Sequence, residues 1–227
     1  MHTLAIETSA GICSCAVLKD TDVIEQIHFK TKDQQQTLMP SIEKLFKTTG
    51  LKKAEINLVA VDIGPGAFTA LRIGVATAKT LAHALNIPVV GINSLYATYK
   101  LSLDTVSGDY DRVILIDARR SKLFCSFYFA NGEEKTNLDL SVNDVLYLTN
   151  NSDKILFAGN GAEIYKNELK SKLEKKNVQF LFGDKTELTA GLIGKLAVEK
   201  YKKSGSDNLH SLVPVYIRET DAVTKGR

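Results

Sequence analysis

Residues 58–74 read LVAVDIGPGAFTALRIG, and this stretch decides the class of fold. An apolar run short enough for a buried strand breaks at Gly64-Pro65-Gly66, and apolar residues then return at helical spacing. A strand that feeds through a tight turn into a helix is the repeating unit of an α/β protein. The turn has backbone N–H groups of the kind that can face a phosphate. However, no Lys-Ser/Thr pair follows it, and it does not complete GxGxxG. Its first reading is a turn that packs a helix closely on a strand.

Upstream, residues 3–7, 13–18 and 23–29 are short apolar runs separated by polar turns, as in an antiparallel meander. Leu38, Ile42, Leu45 and Phe46 then recur at helical spacing up to Gly50, a suitable residue just past a helix end. Pro40 must lie in the first turn of that helix or kink it. Downstream of the opening stretch, residues 88–92 predict a strand and Asn93 or Ser94 caps a further helix.

Residues 104–111 are polar and turn-rich, which places a domain boundary there. The order then begins again, with strands at 113–117, 123–129 and 136–140. Ser141 and Asp144 have capping-box spacing at the start of a helix through Leu148. A strand at 155–158 precedes a helix carrying Tyr165, Leu169 and Leu173, which Asn177 can end. A strand at 178–182 and a helix at 188–203 follow, with lysines in the last turn where the dipole favours them. The expectation is an α/β fold of two subdomains, 1–103 and 104–227, with the tail returning toward the first. A βββαβαβα unit occurring twice resembles the actin/Hsp70/sugar-kinase (ASKHA) superfamily. The pattern alone leaves a single α/β domain of other topology open.

Composition narrows the function classes. Of 227 residues, 44% are hydrophobic, enough for sizeable cores, and the net charge of +3 is spread among nearly as many acids as bases. The densest basic run, Lys170, Lys172, Lys175 and Lys176, is interrupted by Glu174 and reads as a solvated helix face. Cys13, Cys15 and Cys125 lack CxxC spacing and read as buried apolar residues. No apolar run approaches the ~20 residues of a membrane span, and no signal-peptide pattern is present. A soluble, cytoplasmic protein is expected.

The helix that follows Gly66 carries Ala70, Gly74, Ala78 and Ala82 at four-residue spacing, a smooth stripe that admits another backbone. Leu71, Val75 and Leu85 widen its apolar surface, while Arg72, Lys79 and His83 fall along one narrow strip. A helix apolar nearly all round is buried on more than one side. With Leu38, Met39, Ile42 and Phe46 of the preceding helix, it forms a candidate partner interface. The other reading, that both faces are internal to the domain, stays open.

Catalytic motifs are few. His2, His28, His83 and His210 form neither HxxxH nor HExxH, so no metal site is expected; nor is there a GxSxG elbow. Carboxylates are better placed. Glu7, Asp62 and Asp117 each close a strand, where acids can hold Mg2+ near phosphate. That makes an ATP-dependent kinase or Mg-dependent phosphate-processing enzyme the alternative class.

Residues 62–74, DIGPGAFTALRIG, are similar to GPGSFTGLRIG of the TsaB (YeaZ) family. Residues 5–9 (AIETS) resemble that family's first-strand motif, 116–119 (IDAR) its second-half opening, and 214–218 (PVYIR) its C-terminal motif. The matches run in order from one end of the chain to the other. They depart at Glu7 (usually Asp), Ala67 (Ser), Ala70 (Gly) and in the run Asp33-Gln34-Gln35-Gln36, where the family has His.

The resemblance implies an actin-like fold and a non-catalytic subunit in the formation of N6-threonylcarbamoyladenosine next to the tRNA anticodon. TsaD would perform the transfer and TsaE would hydrolyse ATP. This chain would hold TsaD through its two N-terminal helices, pair with itself when TsaD is absent, and meet tRNA only indirectly. It would carry no cofactor of its own. Any ATP or ADP would sit at the complex interface near Glu7, Thr8, Gly64 and Gly66.

Overall fold

The computed structural model describes residues 1–30, 34–173 and 176–218, so Asp33, Glu174 and Lys175 lie outside the described residues. The element order repeats as the sequence predicts. Strands β1 (His2–Glu7), β2 (Ile12–Lys19) and β3 (Asp22–Lys30) lead into helix α1 (Gln34–Thr49). Then come β4 (Ile56–Gly64), α2 (Phe68–Leu85), β5 (Val89–Asn93) and α3 (Ser94–Thr105). The second round is β6 (Asp111–Asp117), β7 (Leu123–Tyr128), β8 (Glu134–Leu140), α4 (Val142–Leu148) and β9 (Lys154–Ala158). It ends with α5 (Asn160–Ile164), α6 (Lys166–Lys172), β10 (Asn177–Leu181) and α7 (Ala190–Ser204).

The two sheets have matching strand orders, β3-β2-β1-β4-β5 and β8-β7-β6-β9-β10. In each, the first three strands form an antiparallel meander and the last two add in parallel. The duplication is therefore one of topology and pairing.

The chain divides into two compact units, the first of residues 1–97 and 188–214, the second of residues 98–187 and 215 onward. The division falls inside α3 rather than in the polar segment 104–111, and it gives α7 to the first unit. The reason is packing. The first sheet alternates strictly: Leu4 and Ile6 join the core under α1 and α2, whereas Ala5 and Ala16 join one built from Ile193, Leu196, Ala197 and Val198 of α7. Burying each large aliphatic side chain contributes roughly 1.5–3 kcal/mol, so a sheet apolar on both faces recruits a helix for each.

In the second unit, α4, α5 and α6 cover one face through Val145, Ala162 and Leu169. On α3, Tyr99 stacks on Tyr128 with ring centroids 3.6 Å apart. Buried Arg112 donates to the carbonyls of Ser102 (2.7 Å), Val106 (2.6 Å) and Gly108 (3.3 Å), taking up acceptors at the end of α3.

Local predictions fare well where a side chain makes the signal. Ser141 and Asp144 form the capping box of α4, Asn93 accepts from the Tyr96 N–H, and Gly50 follows α1 at φ 70°. Two differ. Pro40 is the seventh residue of α1, inside the helix. The helix expected around Tyr165–Leu173 is two short helices, and Asn177 opens β10 because its N–H bonds the Asp153 carbonyl at the head of β9.

Candidate functional site

In the first unit, β1 and β4 lie side by side and parallel, which brings Glu7 and Asp62 to the same end of the sheet. Both carboxyl groups are fully buried. Glu7 Oε1 accepts from the Ser9 N–H (2.6 Å), the Ala10 N–H (2.8 Å) and the Ser9 hydroxyl (3.1 Å). Asp62 Oδ1 accepts from the Gly64 N–H (2.9 Å) and Ser94 Oγ (2.7 Å), and Oδ2 contacts Ser9 Oγ. Among the described residues, Glu7 Oε2 is buried with no partner.

The proton count in this cluster is constrained. Ser9 Oγ carries one hydrogen, so it donates to one carboxyl only; the other contact requires that carboxyl to carry a proton and donate back. Electrostatics agree. Burial, then the neighbouring Asp62 charge, pushes Glu7 up to about 8, and burial also raises Asp62. Burial thus favours a proton on the pair at neutral pH.

This cluster does not fit a Mg2+ site. A hard cation needs ionised, reachable oxygens, and here all but one carboxyl oxygen already accept hydrogen bonds below the surface. Asp117, the third acid of the enzyme reading, belongs to the second unit, where it is hydrogen-bonded to the Arg119 N–H (3.0 Å). Among the described residues, no group of three or more His, Cys, Asp and Glu is placed to hold a metal.

At the turn, several polar groups are engaged within the chain. Gly64 N–H is spent on Asp62, and Thr8 is buried, its hydroxyl donating to the Ala70 carbonyl at 2.8 Å. Gly64 has φ 92°, a conformation unfavourable to any residue with a Cβ, and a Cβ on Gly66 would lie 2.7 Å from Ser9 Cβ. Glu7, Thr8 and Gly64 are buried at this junction, and Gly66 is half-buried.

The candidate interface divides sharply. Leu38 and Ile42 of α1 and Ala70, Gly74, Ala78 and Ala82 of α2 are buried in the chain's own core. The small-residue stripe exists because α2 lies close on β1: a Cβ on Gly74 would collide with Thr8 Oγ1. Met39 (42% exposed), Arg72 and His83 are on the outside, and Phe46 and Lys79 are half-buried. Arg72 lies over the Phe68 ring at 3.8 Å. Lys79 is engaged at home, donating to the carbonyls of His210 (3.1 Å) and Leu212 (2.9 Å).

Sequence reasoning missed Ser9 and Ser94, the hydroxyls that join the acids. Ser94 carries a signal, since it sits at a helix start, but the helix takes Asn93 as its cap and leaves Ser94 for Asp62.

Comparison with known proteins gives the family and the fold. The TsaD family, described as tRNA N6-adenosine threonylcarbamoyltransferase, matches residues 28–224. The tRNA threonylcarbamoyladenosine biosynthesis protein TsaB of Bacillus subtilis is 28% identical, covering 99% of this chain and 97% of that protein. The Escherichia coli protein of the same name is 30% identical over 56% of this chain and 55% of its own length. YeaZ from Pseudomonas aeruginosa superposes with a TM-score of 0.74 at 24% identity, covering 95% of this chain and 99% of that one. A ROK family protein from Streptococcus pneumoniae, in complex with sucrose, superposes at 0.53 with 9% identity over 89% and 99% of the two chains. The fold is actin-like. No described helix is long and apolar enough to cross a membrane.

Proposed function

The chain belongs to the TsaD family, within its TsaB (YeaZ) group, and from that premise we propose that it is a non-catalytic subunit of tRNA threonylcarbamoyladenosine biosynthesis that binds and activates TsaD. The observation that carries this reading is the sealed acid pair. Glu7 and Asp62 occupy strand ends where phosphate-processing relatives of this fold would need open, ionised carboxylates, yet here they are buried and both engaged with Ser9.

A chain without usable chemistry at that point contributes by binding. Its contact surface is the outer face of α1 and α2, around Met39, Arg72 and His83, rather than the buried stripe beneath. Docking there would order the catalytic subunit and present the pair to TsaE. In the absence of TsaD the same face would pair with a second copy, so homodimer and heterodimer compete. Any ATP or ADP would be held at the assembled interface.

Size-exclusion chromatography with light scattering tests this on the chain alone and mixed with TsaD of the same organism. The expected result is a homodimer that converts to a heterodimer, and an isolated chain that turns over no ATP with Mg2+. A monomer indifferent to TsaD would overturn the proposal.

A further inference from the structure

Within the second unit, β6 and β9 run parallel, so their starts lie at one end of the sheet, and the turn from β7 to β8 falls at that same end. The loops that meet there border a half-open cavity of about 490 Å3. Its walls are fixed by the chain's own bonds. Asp111 Oδ1 accepts the Ala130 N–H (2.8 Å), and Asn131 Oδ1 accepts the Glu133 N–H (2.9 Å), which sets the β7–β8 turn. Lys176 sets the loop before β9 by donating to the carbonyls of Thr149 (3.2 Å), Asn150 and Ser152 (2.8 Å).

The cavity is acidic in a chain that is basic as a whole. Asp109, Asp111, Glu133 and Asp153 line it together with Lys135 and Lys154; four carboxylates against two ammonium groups give a formal charge of −2, where the chain carries +3. Phe129 and Leu148 add apolar wall. A second observation points into the same space without reference to charge. Ser152 lines the cavity and is only 4% exposed. Its N–H donates to the Thr149 carbonyl (3.1 Å) and its carbonyl accepts from Lys176, which leaves the hydroxyl, without a partner among the described residues. A buried hydroxyl on a cavity wall is placed to accept from a ligand's N–H.

These features select the ligand's chemistry. Among the described residues no three acids converge to hold a metal ion, which needs several oxygens around one point. Carboxylates spread around a cavity match positive charges that are themselves spaced apart, and an apolar wall matches methylenes between those charges. Lys135 already displays the pairing from within the chain, its ammonium 3.1 Å from Glu133 and 5.7 Å from the centre of the Phe129 ring.

We infer that this cavity binds a linear aliphatic polyamine, its ammonium groups on carboxylates such as Asp109 and Asp153 and one N–H on the Ser152 hydroxyl. The inference stands apart from the role proposed above, since it concerns a small cation and the second unit alone.

Isothermal titration calorimetry of spermidine into the full chain at low salt tests it. The expected result is a single site, about tenfold weaker in D109N/D153N, which removes two exposed charges and should leave Tm unchanged. Ser152→Ala should weaken binding about fivefold, the value of one hydrogen bond, a loss that diffuse attraction to acids would not show. Hexylamine, with one charge, should bind about tenfold more weakly than spermidine. Should the double variant not fold, Ser152→Ala decides alone. No heat of binding, or unchanged affinity in either folded variant, would overturn the inference, as would an equal loss in D22N/E43Q, which removes two acids elsewhere. Displacement of spermidine by Mg2+ at equal concentration would assign the acids to a metal ion and overturn it. A tetralysine peptide that binds about tenfold tighter than spermidine would assign the cavity to a basic protein segment, with the same consequence.

Discussion

Glu7 and Asp62, at the ends of adjacent parallel strands, both contact the hydroxyl of Ser9, whose single hydrogen can be donated to only one of them. A carboxyl raised to about 8 by burial and by Asp62 stays protonated in the folded chain while its unfolded counterpart, with an ordinary value of 4.5, ionises. The folded state then binds more protons than the unfolded one, so the group's contribution to stability falls as pH rises from about 4.5 to about 8 and levels off above. Glu7→Gln, which keeps the shape without the ionisation, should flatten that fall. Denaturant midpoints across this window check it; a wild-type slope in the variant would be evidence against a proton held on the pair.

The division of α2 into a buried stripe and an open face gives opposite expectations for neighbouring residues. Gly74→Ala forces a Cβ into Thr8 and should cost about 1–3 kcal/mol in denaturant unfolding. Met39→Lys, on the exposed face of α1, should change stability by less than ~0.5 kcal/mol yet weaken association with TsaD. Titration by light scattering or calorimetry distinguishes the two.

Arg112 holds the end of α3 by donating to three backbone carbonyls. Arg112→Met fills similar volume but leaves those acceptors unmet, and a loss of roughly 3 kcal/mol is expected. Hydrogen exchange should locate the loosening in α3 and the residues just after it.

All three cysteines are buried, and burial pushes the Cys15 thiol up to about 12 and the Cys125 thiol up as well. Native protein should therefore be nearly inert to a thiol reagent at pH 8, with all three groups reacting after denaturation. A fast-reacting thiol in the native protein would contradict this packing.

Elements with a local signature were legible. Strand lengths, the capping box at Ser141 and Asp144, and the shift of apolar period at Gly64-Pro65-Gly66 come from neighbouring residues, so the order of the two repeats could be read in advance. The stripe at Ala70, Gly74, Ala78 and Ala82 was visible, but its direction was not, because an apolar helix face looks the same whether a sheet or a partner covers it. Arg119, Arg120 and Ser121 carried no sign of left-handed backbone, since none of them prefers it and the forces that impose it come from Asp117, Asn160 and Arg218.

By itself the sequence determined the alternation of strands and helices and the family, because each rests on local periodicity or on motifs of contiguous residues. Only the tertiary structure decided that α7 closes the first sheet, that Glu7 meets Asp62 beneath Ser9, and that Lys79 serves the chain's own tail. Those outcomes depend on which distant surfaces exclude water together, and burial fixes both the partners of a polar group and its charge.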